Sequence, residues 1–371
     1  MMKLVIERSL LLKGLSHVQS VVERRQTIPI LSNVLIVTTG GGLTLKATDN
    51  EIEICEDILA EVETPGAVTV PAHKLYDIVK RLPDGAQLSL SASDESNQLS
   101  IVSGRSKFAL STLPAEGFPS MTVEQTPFTF SVNASELLGL INKTSFAVSV
   151  EETRYNLNGI YFHEKKGEIP VLSAVATDGH RLACAQMALP EGASGMPGII
   201  IPRKTIAELS KLASENEGNI SISLSTNQIR FKLADVVLSS RLIDGTYPEY
   251  EKVIPSSNDK VLEADATVLS DVIERVSVVS EKSRGIKLSL TPALLQVFAA
   301  SADEGSAEDE MDAGYEADPI EIGFNFRYLL DILSQMKSGS VKMKLNDGIS
   351  PVVIQDAKDN TALYVLMPMR V

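Results

Sequence analysis

At 371 residues, with 44% hydrophobic residues, no Trp and a formal net charge of -14, the chain can build two or three cored domains. It is too acidic to coat nucleic acid with a basic surface. Its apolar residues are spread along its length, which excludes extended disorder, and two cysteines, Cys55 and Cys184, exclude a disulfide framework and read as reduced core residues of a cytoplasmic protein.

Residues 1–7 put charges on both sides of a short apolar run, so they do not read as a signal peptide. No stretch reaches the ~18 apolar residues of a membrane span. A first helix is expected with Ser9 as its cap and Leu11, Leu15, Val18 and Val22 on one face. Gly40-Gly41-Gly42 predicts a hairpin turn, not a phosphate loop. Thr48-Asp49-Asn50 follows the next strand. Val70-Pro71 then opens a turn into an amphipathic helix, followed by an alternating strand over 88–91, and Phe118-Pro119 closes the segment.

The pattern then starts again. Ser135 is the expected cap of a helix carrying Leu138, Ile141 and Val148. Thr177-Asp178-Gly179 follows a strand, Ile201-Pro202 opens a helix, and Tyr247-Pro248 closes the segment. A third pass has Leu269, Val272, Ile273, Val276 and Val279 on one helix, then Gly323-Phe324-Asn325 opening another. Pro71, Pro202 and Asn325 are offset by 131 and 123 residues (202 − 71, 325 − 202). Asp49 to Asp178 and Phe118 to Tyr247 are both offset by 129 (178 − 49, 247 − 118). Three landmarks at nearly one spacing predict three copies of a whole domain, not a solenoid. Each copy reads helix, strands, helix, strands. That is α+β, with two helices on one face of antiparallel sheet. Pro-bearing segments at 124–127 and 253–257 place the domains at 1–126, 128–253 and 254–371. Residues 301–318 carry acids at 303, 304, 308, 309, 310, 312, 316 and 318 and no base. They read as a solvated acidic edge or loop, or as an interface.

Catalytic signals are few. The histidines are His17, His73, His163 and His180, and no HExxH, CxxC or P-loop motif occurs, so no metal or cofactor is expected. Asp178 and His180 would share a face on a strand and could pair as acid and base. Asp-Gly after a strand is first a turn signal, and the matching Asp49-Asn50 has no histidine. His180-Arg181 is instead read as a ligand-binding addition to one copy. A hydrolase using Asp178 and His180, and an acidic interaction scaffold that never touches DNA, are the alternatives from other classes.

Several motifs carry a resemblance over the whole chain: Pro71-Ala72-His73-Lys74, Gly104-Arg105-Ser106-Lys107-Phe108-Ala109-Leu110, Arg154-Tyr155-Asn156-Leu157, Thr177-Asp178-Gly179-His180-Arg181, Ile201-Pro202-Arg203-Lys204, Gly323-Phe324-Asn325 and Met367-Pro368-Met369-Arg370-Val371. They resemble the β subunit of bacterial DNA polymerase III, the replication sliding clamp. The resemblance implies a non-enzymatic processivity factor. It would be a head-to-tail homodimeric ring whose helices face duplex DNA and bind it without regard to sequence. Partners would be the replicative polymerase subunit, the clamp loader, repair and translesion polymerases and other proteins with a clamp-binding motif, with no membrane and no cofactor. Arg25, His73, Lys74, Lys80, Arg81, Tyr155, Arg203, Lys204 and Lys211 are expected at the DNA, where Glu151 would repel phosphate.

The dimer joint is expected between the strand at 104–110 and the third domain of a second copy. It would use Arg105, Lys107, Phe108 and Leu110 against Val278, Val279, Glu304, Glu308, Asp309 and Glu310, with opposite charges fixing orientation. The partner-peptide pocket is expected at Leu157, Thr177, Gly179, His180, Arg181, Leu182, Pro248, Lys252, Val253, Asn325, Tyr328, Val365, Leu366, Met367, Pro368, Met369 and Arg370. Apolar residues and methionines would line its slot, while His180, Arg181, Asn325 and Arg370 would anchor polar groups. Tyr364 is read as core strand.

Overall fold

Each copy in fact opens with a strand and not with a helix. The structure is a computed structural model that describes residues 2–93, 97–122 and 125–371, so Glu124 of the expected first boundary lies outside them. The first copy runs β1 (Met2–Glu7), α1 (Arg8–Val18), β2 (Asn33–Thr39), β3 (Gly42–Thr48), β4 (Ile52–Ile58), β5 (Glu61–Thr64), β6 (Ala67–Pro71), α2 (Ala72–Arg81), β7 (Gln87–Ser93), β8 (Gln98–Ser103) and β9 (Ser106–Ser111). The second runs β10 (Phe128–Asn133), α3 (Ala134–Thr144), β11 (Gly159–Lys165), β12 (Val171–Thr177), β13 (Arg181–Ala188), β14 (Ile199–Pro202), α4 (Arg203–Ser214), β15 (Asn219–Leu224), β16 (Gln228–Leu233) and β17 (Val236–Arg241). The third runs β18 (Lys260–Asp265), α5 (Ala266–Ser277), β19 (Gly285–Thr291), β20 (Leu294–Ser301), β21 (Gly305–Asp312), β22 (Ile320–Asn325), α6 (Phe326–Leu333), β23 (Ser340–Leu345), β24 (Val352–Asp356) and β25 (Ala362–Leu366).

The opening strands follow from alternation. Met2, Leu4 and Ile6 point inward from β1, as do Phe130 and Val132 from β10 and Leu262 and Ala264 from β18. Strand leads straight into helix at Pro71, Pro202 and Asn325, where turns were expected. The helix caps also differ from expectation. Ser9 lies inside α1 and donates to the Glu7 carboxylate. Ser135 lies inside α3, and Asn133 accepts its backbone N–H at 2.9 Å. Asp265 and Asn325 cap α5 and α6 the same way. Val22 and Val148 are buried beyond the ends of their helices, and α3 buries Leu137, Leu140 and Ile141, with Leu138 half-buried.

The chain forms two compact units. One comprises Met1–Leu138, Pro190–Ala193 and Lys204–Leu242. It holds a five-stranded sheet ordered β5-β1-β7-β8-β9 and an eight-stranded sheet ordered β10-β15-β16-β17-β4-β3-β2-β6. Helix α1 packs on β3, β4 and α2, burying Leu11 and Leu15 completely. Each such side chain contributes roughly 1.5–3 kcal/mol of burial free energy. The approach is close because Gly14 has no side chain; a Cβ there would strike Ile58.

The other unit comprises Gly139–Leu189, Ser194–Arg203 and Ile243–Val371. Its sheets are ordered β14-β11-β12-β13-β25-β24-β23-β18 and β21-β20-β19-β22. Helix α5 packs on β20, β21 and α6, burying Leu269 and Ile273 completely. Half of the acidic run at 301–318 is strand, and β21 forms an outer edge. Cys55 and Cys184 are free thiols. Burial pushes both up, Cys55 to about 12, where thiolate chemistry is suppressed.

A buried histidine ties the first unit together. His17, on α1, meets Glu56 of β4 at 2.7 Å and Glu215, just beyond α4, at 3.0 Å. Burial alone would lower the imidazole pKa. Hydrogen bonds and charge attraction from Glu56 and Glu215 outweigh it, and the net shift is upward from 6.5. A raised folded-state pKa gives stability that is fully present below the unfolded value. It is lost as pH rises through the folded value. Urea unfolding of the whole chain is therefore expected to show stability declining above pH 6.5 as His17 deprotonates. His17→Gln should remove that part of the slope, and an unaltered slope in the variant would refute the assignment.

Candidate functional site

Two copies of one turn organise the polar residues. After β3, the Thr48 hydroxyl donates to the Ile52 carbonyl at 2.8 Å and accepts from the Asn50 N–H. Asp49 Oδ1 accepts from the N–H groups of Glu51 and Ile52 at 2.9 and 2.8 Å. After β12, Thr177 donates to the Arg181 carbonyl at 2.7 Å and accepts from Gly179. Asp178 Oδ1 accepts from the N–H groups of His180 and Arg181 at 2.9 and 3.0 Å. Both turns place their third residue at positive φ, 77° for Asn50 and 89° for Gly179, which Asn and Gly tolerate best. Each leaves Oδ2 free to hold a cation: Asp49 holds Lys204, and Asp178 holds Arg181 Nε at 3.1 Å.

This geometry dissolves the acid–base pair. Asp178 meets the backbone of His180, not its ring, and its second oxygen is taken by Arg181. The His180 ring lies near Tyr328 instead, centroids 6.1 Å apart. Arg181 is only 9% exposed and fully committed. It reaches Asp331 at 2.5 Å and the Phe146 carbonyl at 2.5 Å. Its guanidinium faces the rings of Phe146 and Tyr328 at 5.1 and 4.4 Å. Asn325, another expected anchor, uses its side-chain oxygen to cap α6.

Around this bolt the expected pocket residues fall into two layers. Leu157, Leu182 and Val365 are buried in one cluster with Val175, Cys184, Ile200, Tyr247 and Tyr250, and Leu366 is buried too. They belong to the core, and β25 runs through Leu366. Thr177, Tyr328, Met367 and Pro368 are half-buried. Gly179, His180, Pro248, Lys252, Val253, Met369 and Arg370 are exposed. Lys252 pairs with Glu249. The tail after β25 is fastened, since Met367 N–H donates to the His180 carbonyl and Met369 N–H to the Gly323 carbonyl, both at 2.9 Å. It lies on a bed of two glycines. A Cβ on Gly323 would collide with the Met369 carbonyl and Val371, and one on Gly285 would crowd Val371 at 3.3 Å.

Sequence reasoning missed the aromatic stack beside this buried cluster. Tyr161 and Tyr247 stack at 4.7 Å and 5°, and His163 stacks on Tyr161 at 4.8 Å. His163 Nδ1 donates to the Glu164 carbonyl, which leaves Nε2 to accept from Tyr250 at 3.0 Å. Burial lowers the His163 pKa, in keeping with that neutral tautomer. Tyr247 was read only as a landmark. Phe146 and Asp331 carried no sequence signal.

The basic residues also divide. His73 Nδ1 meets Gln19 Oε1 at 2.8 Å, and its Nε2 donates to the Val22 carbonyl at 2.9 Å. Lys204 donates to the Val21 carbonyl at 3.2 Å and Lys211 to the Ser16 carbonyl at 2.7 Å. These three secure the last turn of α1 and the chain behind it, where carbonyls attract cations. Arg25, Lys74, Lys80, Arg81 and Arg203 are exposed, with Lys80 5.6 Å from the Tyr76 ring. Tyr155, 59% exposed, stands on a 3-10 turn in the unit that also holds Arg203, and there Glu151 pairs with Arg154 at 3.3 Å.

Two open strand edges carry opposite charge. In the first unit β9 is outermost, with Arg105 and Lys107 exposed and Phe108 and Leu110 half-buried. In the second unit β21 is outermost, with Glu304, Glu308 and Glu310 exposed. Arg275 holds Asp309 at 2.8 Å and Lys282 holds Glu304 at 3.2 Å. Val278 is 64% exposed and Val279 half-buried, just past α5.

Three family models match in order: the N-terminal domain of the DNA polymerase III beta subunit over residues 2–122, its central domain over 131–249 and its C-terminal domain over 251–370. The beta sliding clamp of Caulobacter vibrioides is 46% identical and that of Escherichia coli K12 is 39% identical, each over the full length of both chains. Among solved structures, the sliding clamp of Bartonella birtlesii bound to griselimycin superposes with a TM-score of 0.98 at 47% identity, covering both chains completely. The clamp of Caulobacter crescentus gives 0.96 at 45% over the same span. Matching sequence, three clamp domains in order and the superposed fold lead to one statement: the chain belongs to the DNA polymerase III beta subunit family of non-enzymatic DNA sliding clamps.

Proposed function

We propose that two copies of this chain close head to tail into a ring around duplex DNA, with β9 of one copy laid along β21 of the other. The observation that carries this reading is the pair of open antiparallel edges with opposite charge. Each is the outer strand of its sheet among the described residues and offers an edge to which a strand can be added. Opposite signs allow the head-to-tail pairing and oppose like-on-like pairing. Exposed Val278 beside β21 supplies an apolar contact for Phe108 and Leu110. Arg25, Lys74, Arg81, Arg203, Tyr155 and the part-exposed Lys204 contact phosphates from inside the ring without reading bases. The groove around the tail receives short peptide segments of a polymerase, a clamp loader or other DNA-processing proteins.

The test joins assembly and retention. The intact protein, loaded by its cognate loader, is expected to stay on nicked circular DNA and to run off once the circle is linearised. Val278→Glu with Val279→Glu is expected to sediment as a monomer and to be lost from both. A double variant that remains dimeric would overturn the joint; equal retention on linear DNA would overturn the ring.

A further inference from the structure

The twin turns point to a role for Asp49 that goes beyond shaping the chain, and it rests on the proposed DNA face. Asp49 is 8% exposed at its side chain and is fixed by two backbone N–H groups on Oδ1. Its Oδ2 holds Lys204. Glu23 takes the same ammonium at 3.3 Å, and the Val21 carbonyl accepts from it at 3.2 Å. Lys204 is nevertheless 38% exposed, so it is neither sealed in the core nor free. In the second copy the same turn grips Arg181, which is buried and serves packing. One device thus grips a buried arginine in one copy and a surface lysine in the other.

We propose that Asp49 and Glu23 are built-in counterions for Lys204, positioning residues that keep this lysine neutralised when a DNA phosphate passes. A lysine that binds phosphate normally releases a condensed counterion, which gives affinity and its steep salt dependence. A lysine already paired with fixed carboxylates exchanges one partner for another and gains little. For a protein that must move along DNA, that keeps a phosphate contact weak enough to break at every step. Burial would lower the Lys204 pKa, but the hydrogen bonds and charges of Asp49 and Glu23 outweigh it, so the lysine stays protonated and ready to exchange.

The experiment measures direct binding of the full-length protein to a short fluorescent duplex across a salt titration, without a loader. Asp49→Asn keeps Oδ1 for the two backbone N–H groups and turns an amide donor toward Lys204. It is expected to tighten binding several-fold at low salt and to steepen the log–log salt slope by about 0.9, one phosphate contact. Adding Lys204→Ala to it should return the slope to that of Lys204→Ala alone. Glu23→Gln, at an exposed position, should move the slope the same way, and it covers the case in which Asp49→Asn lowers the melting temperature. If Lys204→Ala weakens the parent protein while neither acid variant changes the slope, the counterion role is overturned and the DNA face stands. If Lys204→Ala also leaves binding unchanged, the DNA face itself fails at this residue.

Discussion

Gly323→Ala is expected to unseat residues 367–371 and to weaken peptide binding by about tenfold to a hundredfold, or ~1.4–2.8 kcal/mol. Gly323 lies in β22 with no positive φ, so alanine is acceptable to the backbone itself. The added methyl group has no room, because the Met369 carbonyl and Val371 already lie against the glycine. The Met369 N–H bond to Gly323 is lost with them. Only the tail has freedom to yield, since β22 is paired with β19 from Ile320 to Asn325. The readout is fluorescence polarisation with a labelled Gln-x-x-Leu peptide, alongside hydrogen exchange at Met367 and Met369. Deleting residues 367–371 should abolish binding in a chain that still folds. Unchanged peptide affinity in both variants would show that the tail does not form the groove.

Arg181→Ala should cost about 3 kcal/mol of unfolding free energy, the low end for breaking a buried ion pair. The low end applies because Asp331 is 48% exposed at its side chain and can rehydrate. Asp178 keeps its two backbone N–H bonds, but the Phe146 carbonyl and two ring faces lose their partner. Arg181→Lys keeps the charge and loses the fork, so it should recover less than half of the loss. Denaturant unfolding decides it. A loss below about 1 kcal/mol, the scale of an exposed pair, would mean that the arginine is dispensable to the fold.

The threefold repeat was legible because its landmarks are turn residues, whose chemistry is local: Asp49 and Asp178 build the same turn from the same three-residue pattern. The opening strands were legible in principle, since Met2, Leu4 and Ile6 alternate, but α1 begins directly after Glu7 and drew the reading toward helix. Ser9 and Ser135 misled because a hydroxyl residue one or two places inside a helix looks like a cap. Along the tail the apolar run from Tyr364 to Met369 was visible, whereas its glycine bed lies 41 or more residues away in sequence (364 − 323) and is defined by contact. Arg181 stood out as an anchor for a partner's polar groups, while its part in packing was not legible. Its partner Asp331 is 150 residues distant, and nothing in spacing links them. The sorting of His73, Lys204 and Lys211 from the exposed cations has the same cause, because the carbonyls they meet belong to another part of the fold.

The two eight-stranded sheets set a limit on dissection. Each is continuous across a join between repeats: β17 pairs with β4 from Val236↔Glu56 to Ser240↔Ile52, and β13 pairs with β25 from Arg181↔Leu366 to Ala185↔Ala362. A fragment excised as the central repeat would therefore carry two freshly cut edges, β17 and β13. Both come from the middle of a sheet, and β13 is buried along Arg181 to Ala185. Interior strands lack the charges and prolines that protect natural rims, so such a fragment is a template for self-association. Cuts at the repeat joins that look natural in the sequence thus fall across hydrogen-bonded ladders. A soluble piece would have to follow the sheets and not the repeats.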